Sequence, residues 1–230
     1  MHVHVAFTPA ETAVAPLAVV IDVLRATSTI AQALAGGYER VLCCGEIDEA
    51  KALRASEGDG LLAGERACVR IPGFDLGNSP SEFLVPQGET VILTTTNGTR
   101  ALVAAARQCE RVLAGSLLNL EAVASVARDG GGDVAIVCAG VQGAFAMDDA
   151  YCAGRLAERL GGEPSDAAAA AIRLARSFGS AEEGLAASQS GRNLVAAGLE
   201  EDIGWCAREG VLEVVPEVVG LRGSAVEVSA

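Results

Sequence analysis

Asp22, Arg25 and the hydroxyls of Thr27, Ser28 and Thr29 fall in one short run, Asp22-Val-Leu-Arg-Ala-Thr-Ser-Thr29, directly after the apolar stretch Leu17 to Ile21. An acid, a guanidinium and three hydroxyls that close together can hold a cation, grip an anion or move a proton. The arrangement recurs. The apolar run Val91 to Leu93 ends in Thr94-Thr-Thr-Asn-Gly-Thr-Arg100, and Val134 to Val137 ends in Cys138-Ala-Gly140, with Asp148 and Asp149 soon after. Gly64-Glu65-Arg66 follows Leu61 to Ala63 in the same way. Asp22, Glu65 and Asp149 are hard oxygen donors of the kind Mg²⁺ accepts, one or two at a time, while water and phosphate oxygens fill its other positions. Arg25, Arg66 and Arg100 offer planar forks for phosphate or carboxylate. Gly77-Asn78-Ser79 and Asn97-Gly98-Thr99 can bring backbone amides close to an anion. Together these residue types point to phosphoryl chemistry.

The elements that must position them follow from the same apolar runs. Each run has the length of a buried strand and is bounded by turn residues, and open α/β sheets bind ligands at the carboxyl ends of their strands. Strands are expected at 2–7, 17–21, 40–44, 61–63, 91–95, 111–114 and 134–138, alternating with helices at 28–35, 47–55, 99–108, 119–128 and 149–160. An alanine-rich helix at 165–177, further helix over 181–199 and a closing strand near 212–215 complete the chain. This alternation predicts an α/β fold: a three-layer α/β/α arrangement around a mainly parallel sheet, with mixed pairing left open, plus a C-terminal helical segment and closing strand. A chain of 230 residues, half of them hydrophobic, is long enough to bury one large core. One domain over 1–230 is expected, with 163–230 the segment that could form a subdomain. The stretch 67–86, carrying Pro72, Pro80 and Pro86, is the longest irregular one, and loops of that length in compact domains are usually functional.

Composition removes several classes. The formal charge of −13 repels nucleic-acid backbones and anionic membranes, so neither is an expected partner. A small anionic phosphorylated ligand stays compatible, because screening over about 8 Å lets a few arginines create a local positive pocket. Arginine supplies all but one of the 17 basic residues, Lys51 being the exception. The first residues alternate like a strand and lack a signal peptide's pattern, and no run has transmembrane length, so a cytoplasmic location is expected. The 7 cysteines form no Cys-x-x-Cys and several sit in apolar runs, which reads as buried reduced thiols. With only His2 and His4, histidine triads and histidine-rich zinc sites have little to draw on. The chain has no Cys-x5-Arg or Walker loop. Gly130-Gly131-Gly132 precedes a strand instead of opening a helix, so it reads as a turn and not as a dinucleotide motif. Asp22 lacks the second aspartate two residues on that haloacid dehalogenases carry. A homodimer is the general expectation for an oligomer.

Taken together, Asp22-Val-Leu-Arg-Ala-Thr-Ser-Thr29, Ala63-Gly-Glu-Arg66, Gly73-Phe-Asp-Leu-Gly-Asn-Ser-Pro-Ser-Glu-Phe83, Thr94-Thr-Thr-Asn-Gly-Thr-Arg-Ala101 and Cys138-Ala-Gly140 with Asp148-Asp149 resemble the 2-phosphosulfolactate phosphatase family over most of 17–160. Asp148-Asp149 stands where that family carries Glu-Asp. The resemblance implies a three-layer α/β fold and Mg²⁺-dependent hydrolysis of (2R)-2-phospho-3-sulfolactate to 3-sulfolactate and phosphate, a step of coenzyme M biosynthesis. On this reading Asp22, Arg25 and Ser79 are catalytic. Arg66, Asn78, Thr95, Thr96, Asn97, Thr99 and Arg100 bind substrate, and Asp22, Glu65 and Asp149 hold the metal. Two mechanisms stay open: attack by a metal-activated water, or attack by Asp22 or Ser79 to give a phosphoenzyme. Two other functions also stay open, a phosphatase for another 2-phosphorylated hydroxy acid and a non-catalytic phosphometabolite-binding module. The carboxylates favour an enzyme, because pure anion binding gains nothing from acids beside a phosphate.

Overall fold

The computed structural model describes residues 1–11, 15–58 and 60–230. In chain order the first half holds β1 (His2–Ala6), β2 (Leu17–Ile21), α1 (Ala26–Gly36), β3 (Arg40–Cys44), α2 (Ile47–Glu57), β4 (Leu61–Arg66), β5 (Val69–Arg70), β6 (Thr90–Thr94) and α3 (Gly98–Ala106). The second half holds β7 (Arg111–Gly115), α4 (Leu120–Asp129), β8 (Val134–Cys138), α5 (Met147–Leu160), β9 (Glu163–Pro164), α6 (Asp166–Arg176), α7 (Ala181–Ala186), α8 (Gln189–Ala196), α9 (Glu201–Cys206), β10 (Glu217–Arg222) and β11 (Ala225–Ser229).

The strands join in one sheet in the order β5-β4-β6-β3-β11-β10-β7-β2-β8-β1-β9. Two parallel blocks are visible in it: β4, β6 and β3 on one side, and β7, β2, β8 and β1 on the other. The hairpin β10–β11 lies between them and pairs antiparallel with β7 and with β3. Three successive antiparallel pairings reverse direction, so the two blocks run opposite ways. The seam at β7 is thin, a single register pair between Glu217 and Leu113. A bidentate ion pair reinforces it, Arg111 Nε and Nη2 donating to the two Glu217 carboxylate oxygens at 2.8 and 2.7 Å.

Central strands such as β2 and β8 are apolar at every position and buried at every position, as strands covered on both faces must be. One face of both blocks packs against α1 and α3 through Val20, Val137, Leu93, Ile30 and Leu102. The opposite faces are covered separately, the β2–β8 block by α4, α5 and α6 and the β3–β6 block by α2 and Phe74. This is the three-layer α/β/α arrangement. Cys43, Cys44, Cys138, Cys152 and Cys206 are buried thiols. Among the described residues, no helix is long and apolar enough to cross a membrane.

Two expectations are corrected at the chain's end and one at β4. The closing strand lies not at 212–215 but at β10 and β11, so the chain closes inside the sheet as a hairpin. The expected helix over 181–199 is two helices, because Ser188 Oγ accepts from Gly191 N at 2.9 Å and starts α8 afresh. A further helix, α9, follows it. Strand β4 runs on through Gly64, Glu65 and Arg66, which puts Glu65 on the strand itself.

Candidate active site

The loops after β2 and β8 meet those after β4 and β6 over the amino ends of α1 and α3. Asp22, one residue past β2, lies where two of these helix ends converge. Its Oδ1 accepts from Ala26 N of α1 at 3.3 Å. Gly98 opens α3 so close to the carboxylate that a Cβ there would stand 2.5 Å from Asp22 Oδ2, so only glycine fits. Helix amino ends favour a carboxylate, yet burial outweighs them here. Desolvation first, then the charges of Asp148 and Glu65, push the Asp22 carboxyl up to about 7.

Adjacent Asp148 and Asp149 have diverged in role. Both are 2% exposed at the start of α5. Asp149 accepts from Val23 N at 3.0 Å through Oδ1 and from Gly140 N at 2.9 Å through Oδ2, clamping the chain ends of β2 and β8 together. Asp148 takes no such clamp. Its Oδ1 accepts from Ser190 Oγ of α8 at 3.1 Å, and burial lifts its carboxyl to about 6 against the pull of that hydroxyl.

Glu65 ties the β4 and β6 loops together. Oε1 accepts from both the amide and the hydroxyl of Thr96 at 2.9 Å, and Oε2 accepts from Cys68 N at 2.8 Å. Ala67 and Cys68 between them adopt left-handed backbone, with φ of 51° and 68°, which costs roughly 1–2 kcal/mol per non-glycine residue. Bonds at both ends of Cys68 offset that cost: its amide is held by Glu65 and its carbonyl accepts from Arg25 Nη2 at 2.8 Å. The Arg25 Nη1 donates to Ser79 Oγ at 3.0 Å and to Asp202 Oδ2 of α9 at 2.6 Å, while Ser79 Oγ donates to the same Asp202 oxygen at 2.7 Å.

Asp22, Arg25, Glu65, Asn78, Thr96 and Asn97 line a cleft of about 160 Å³ together with Cys68, Gln142, Ser190 and Asn193. Asn78 is buried there with its Oδ1 lacking any hydrogen-bond partner among the described residues. Asn97 Oδ1 accepts from Gln142 N at 3.1 Å.

The other residues singled out in the sequence lie outside that lining. The Arg66 fork is spent on the carbonyls of Glu65, Thr94 and Gly45 and on Thr94 Oγ1. Arg100 is on the surface, paired with Glu46 at 2.8 Å. Thr95 and Thr99 bond reciprocally, each hydroxyl accepting from the other's amide at 3.0 and 3.2 Å, and so close the turn into α3. Ser79 is held behind Arg25, and Asp149 by its two amides. Sequence reasoning missed Gln142, Ser190, Asn193 and Asp202 and left Asp148 outside its site set. Asp148 carried a signal, its place beside Asp149. Ser190 and Asn193 share one helix face at a spacing of three, a weak one.

A fit for a divalent cation can be judged from the donors. Among the described residues no three His, Cys, Asp or Glu side chains form a ready-made metal cluster. Asp22 and Glu65 do face one cleft with the orphaned Asn78 oxygen, a hard-oxygen set with room for water and phosphate. That suits Mg²⁺, which seldom takes an all-protein cage.

Fold and cleft define the class: a three-layer α/β protein with acidic groups and one arginine gathered where strand ends meet helix amino ends. Residues 4–220 match the profile of the family described as 2-phosphosulpholactate phosphatase. A protein of Thermus thermophilus named "Probable 2-phosphosulfolactate phosphatase" is 40% identical over 233 residues, covering 98% of each chain. One of the same name from Carboxydothermus hydrogenoformans is 41% identical over 203 residues, covering 86% of this chain and 84% of its own. The chain belongs to the 2-phosphosulfolactate phosphatase family.

Proposed function

We propose that this protein is a Mg²⁺-dependent phosphatase that hydrolyses 2-phospho-3-sulfolactate to 3-sulfolactate and phosphate, the reaction type that serves coenzyme M biosynthesis. The observation that carries the reading is the coexistence in one small cleft of an arginine fork with spare donors, two buried carboxylates and an unpartnered amide oxygen. The names of the family's members support the substrate. A cleft of about 160 Å³ suits a small phosphorylated acid.

Asp22, Glu65 and Asn78 Oδ1 are the groups that would hold the ion. When bound, Mg²⁺ supplies Lewis-acid polarisation of the phosphoryl oxygens. Arg25 contributes the fixed positive charge that such a transition state needs, its remaining N–H groups available to the equatorial oxygens. The neutral amides of Asn193 and Gln142 at the cleft wall suit the weakly basic sulfonate and the carboxylate. Between the two nucleophiles left open by the sequence, Ser79 is the poorer, because its hydroxyl is bonded to both Arg25 and Asp202 and lies outside the lining.

The test is phosphate release from 2-phosphosulfolactate beside phospholactate and phosphoglycerate, with Mg²⁺ and with EDTA. Metal-dependent turnover that prefers the sulfonate and collapses in Asp22→Asn is the expected result. Turnover of the other esters alone removes the named substrate, and no turnover of any ester removes the enzyme.

A further inference from the structure

We propose that Asp202, on α9, is a positioning residue for the anion site: it locks the Arg25 guanidinium in the one orientation that leaves donors free for a bound phosphoryl group. The proposal rests on the reading of the cleft as an anion site. Asp202 stands 177 residues from Arg25 in sequence, yet their contact of 2.6 Å is buried on both sides, at 3% and 7% side-chain exposure. Its Oδ2 receives Arg25 Nη1 and Ser79 Oγ together, and Ser79 Oγ accepts from the same Nη1, so the three groups close a ring at one end of the fork. The Cys68 carbonyl fixes Nη2. A guanidinium has five N–H donors. Nη1 is used twice and Nη2 once, so Nε–H and one Nη2–H remain for a ligand.

The placement also separates charges. A buried guanidinium requires a counter-charge, and the nearest carboxylates in the cleft would otherwise be Asp22 and Glu65, the groups the reaction needs. Asp202 takes that position from outside the lining. Arg25 is thus neutralised without drawing either cleft acid into an ion pair.

Charge alone and positioning predict opposite signs. Deleting a carboxylate beside an anion site strengthens anion binding if only the field matters, and weakens it if Asp202 aims the fork. Calorimetric titration of inorganic phosphate into wild type, Arg25→Ala, Asp202→Ala and the double variant, each checked by thermal unfolding, reads the sign directly. Expected is a Kd raised about tenfold in Asp202→Ala, on the scale of a charge-assisted hydrogen bond, and a double variant no weaker than Arg25→Ala because the two act as a unit. Asp202→Asn, nearly isosteric, shifts the same way by less and carries the test should the alanine variant not fold. A folded Asp202 variant that binds phosphate as well as or better than wild type overturns the proposal, as do losses that simply add in the double variant. Wild type that binds no phosphate, or Arg25→Ala that binds it normally, overturns the anion-site reading and the proposal with it.

Discussion

The strand ends of β2, β4 and β6 line the cleft, while α8 at its wall and α9 behind Arg25 serve it with different equipment. The strand β4 and the loops around it and after β2 present the candidate site groups, Asp22, Arg25, Glu65 and Asn78. The helices hold those groups in place, Ser190 on Asp148 and Asp202 on Arg25 and Ser79. The sheet fixes where the chemistry happens, and a segment far along the chain fixes how its charges are oriented. Loss of one carboxylate should therefore mean different things in the two regions, and even at neighbouring positions within one.

The largest effect belongs to the loop side. Asp22→Asn is expected to lower turnover by at least about 100-fold, beyond the roughly 10–100-fold of altering a group behind a metal ligand, because Asp22 itself would hold the ion. The variant should stay folded, because removing a charge that burial already opposes relieves the native state. A phosphate-release assay paired with thermal unfolding checks both halves, and wild-type turnover in the variant would place the chemistry elsewhere.

The Asp148 and Asp149 pair sharpens the comparison within one helix turn. Asp149→Ala strands two buried amides, Val23 N and Gly140 N, and each such group costs about 1–3 kcal/mol. A loss of roughly 3 kcal/mol in denaturant melts is expected for that variant. Asp148→Asn removes a charge that burial disfavours despite the hydrogen bonds it accepts, so its stability should be unchanged or higher while its Mg²⁺ requirement rises. Equal melting behaviour of the two variants would erase the distinction drawn between them.

Protonation offers a gentler probe. The Asp22 and Asp148 carboxyls titrate near 7 and 6 in the folded protein, chiefly through burial, against about 4 when unfolded. Between those values the native state binds more protons than the unfolded one, so stability falls as pH rises. Metal-free protein should accordingly melt at a higher temperature near pH 5 than near pH 8, and burial raises the Asp149 carboxyl in the same direction. Mg²⁺ should raise the melting temperature more at pH 8 than at pH 5. A flat profile in EDTA would mean that these carboxyls are not strained by burial.

What the sequence revealed followed the same division. Leu17–Ile21 and Val134–Cys138 were legible because strands buried on both faces are unbroken apolar runs, and their ends announced Asp22 and the Gly140 loop. The β10–β11 hairpin was not, since Val219 and Leu221 are exposed and no clean alternation marks β10. Its turn did carry a signal in Gly223-Ser224, with Gly223 at φ 64°, a hairpin pattern between two valine-containing runs. Asp202 had none. Its role comes from a contact across 177 positions, and an acid beside Glu200 and Glu201 at the start of a short helix reads locally as surface.

Arg100 gives the smallest effect and tests the loop side from its silent edge. By type and spacing it belongs with Arg25 and Arg66 at a strand end. Its side chain is instead 52% exposed and paired with Glu46, and its Nε faces the Gly45 carbonyl at 3.4 Å. An exposed pair of this kind contributes about 0–1 kcal/mol. Arg100→Ala should change kcat/KM by less than about twofold, since long-range steering by one surface charge is largely screened at physiological salt. Kinetics at low and at physiological ionic strength check this. A tenfold loss that persists at high salt would show that Arg100 swings into the cleft with substrate bound. Arg25 would then share the phosphoryl charge, and the dependence of anion binding on Asp202 would weaken in proportion.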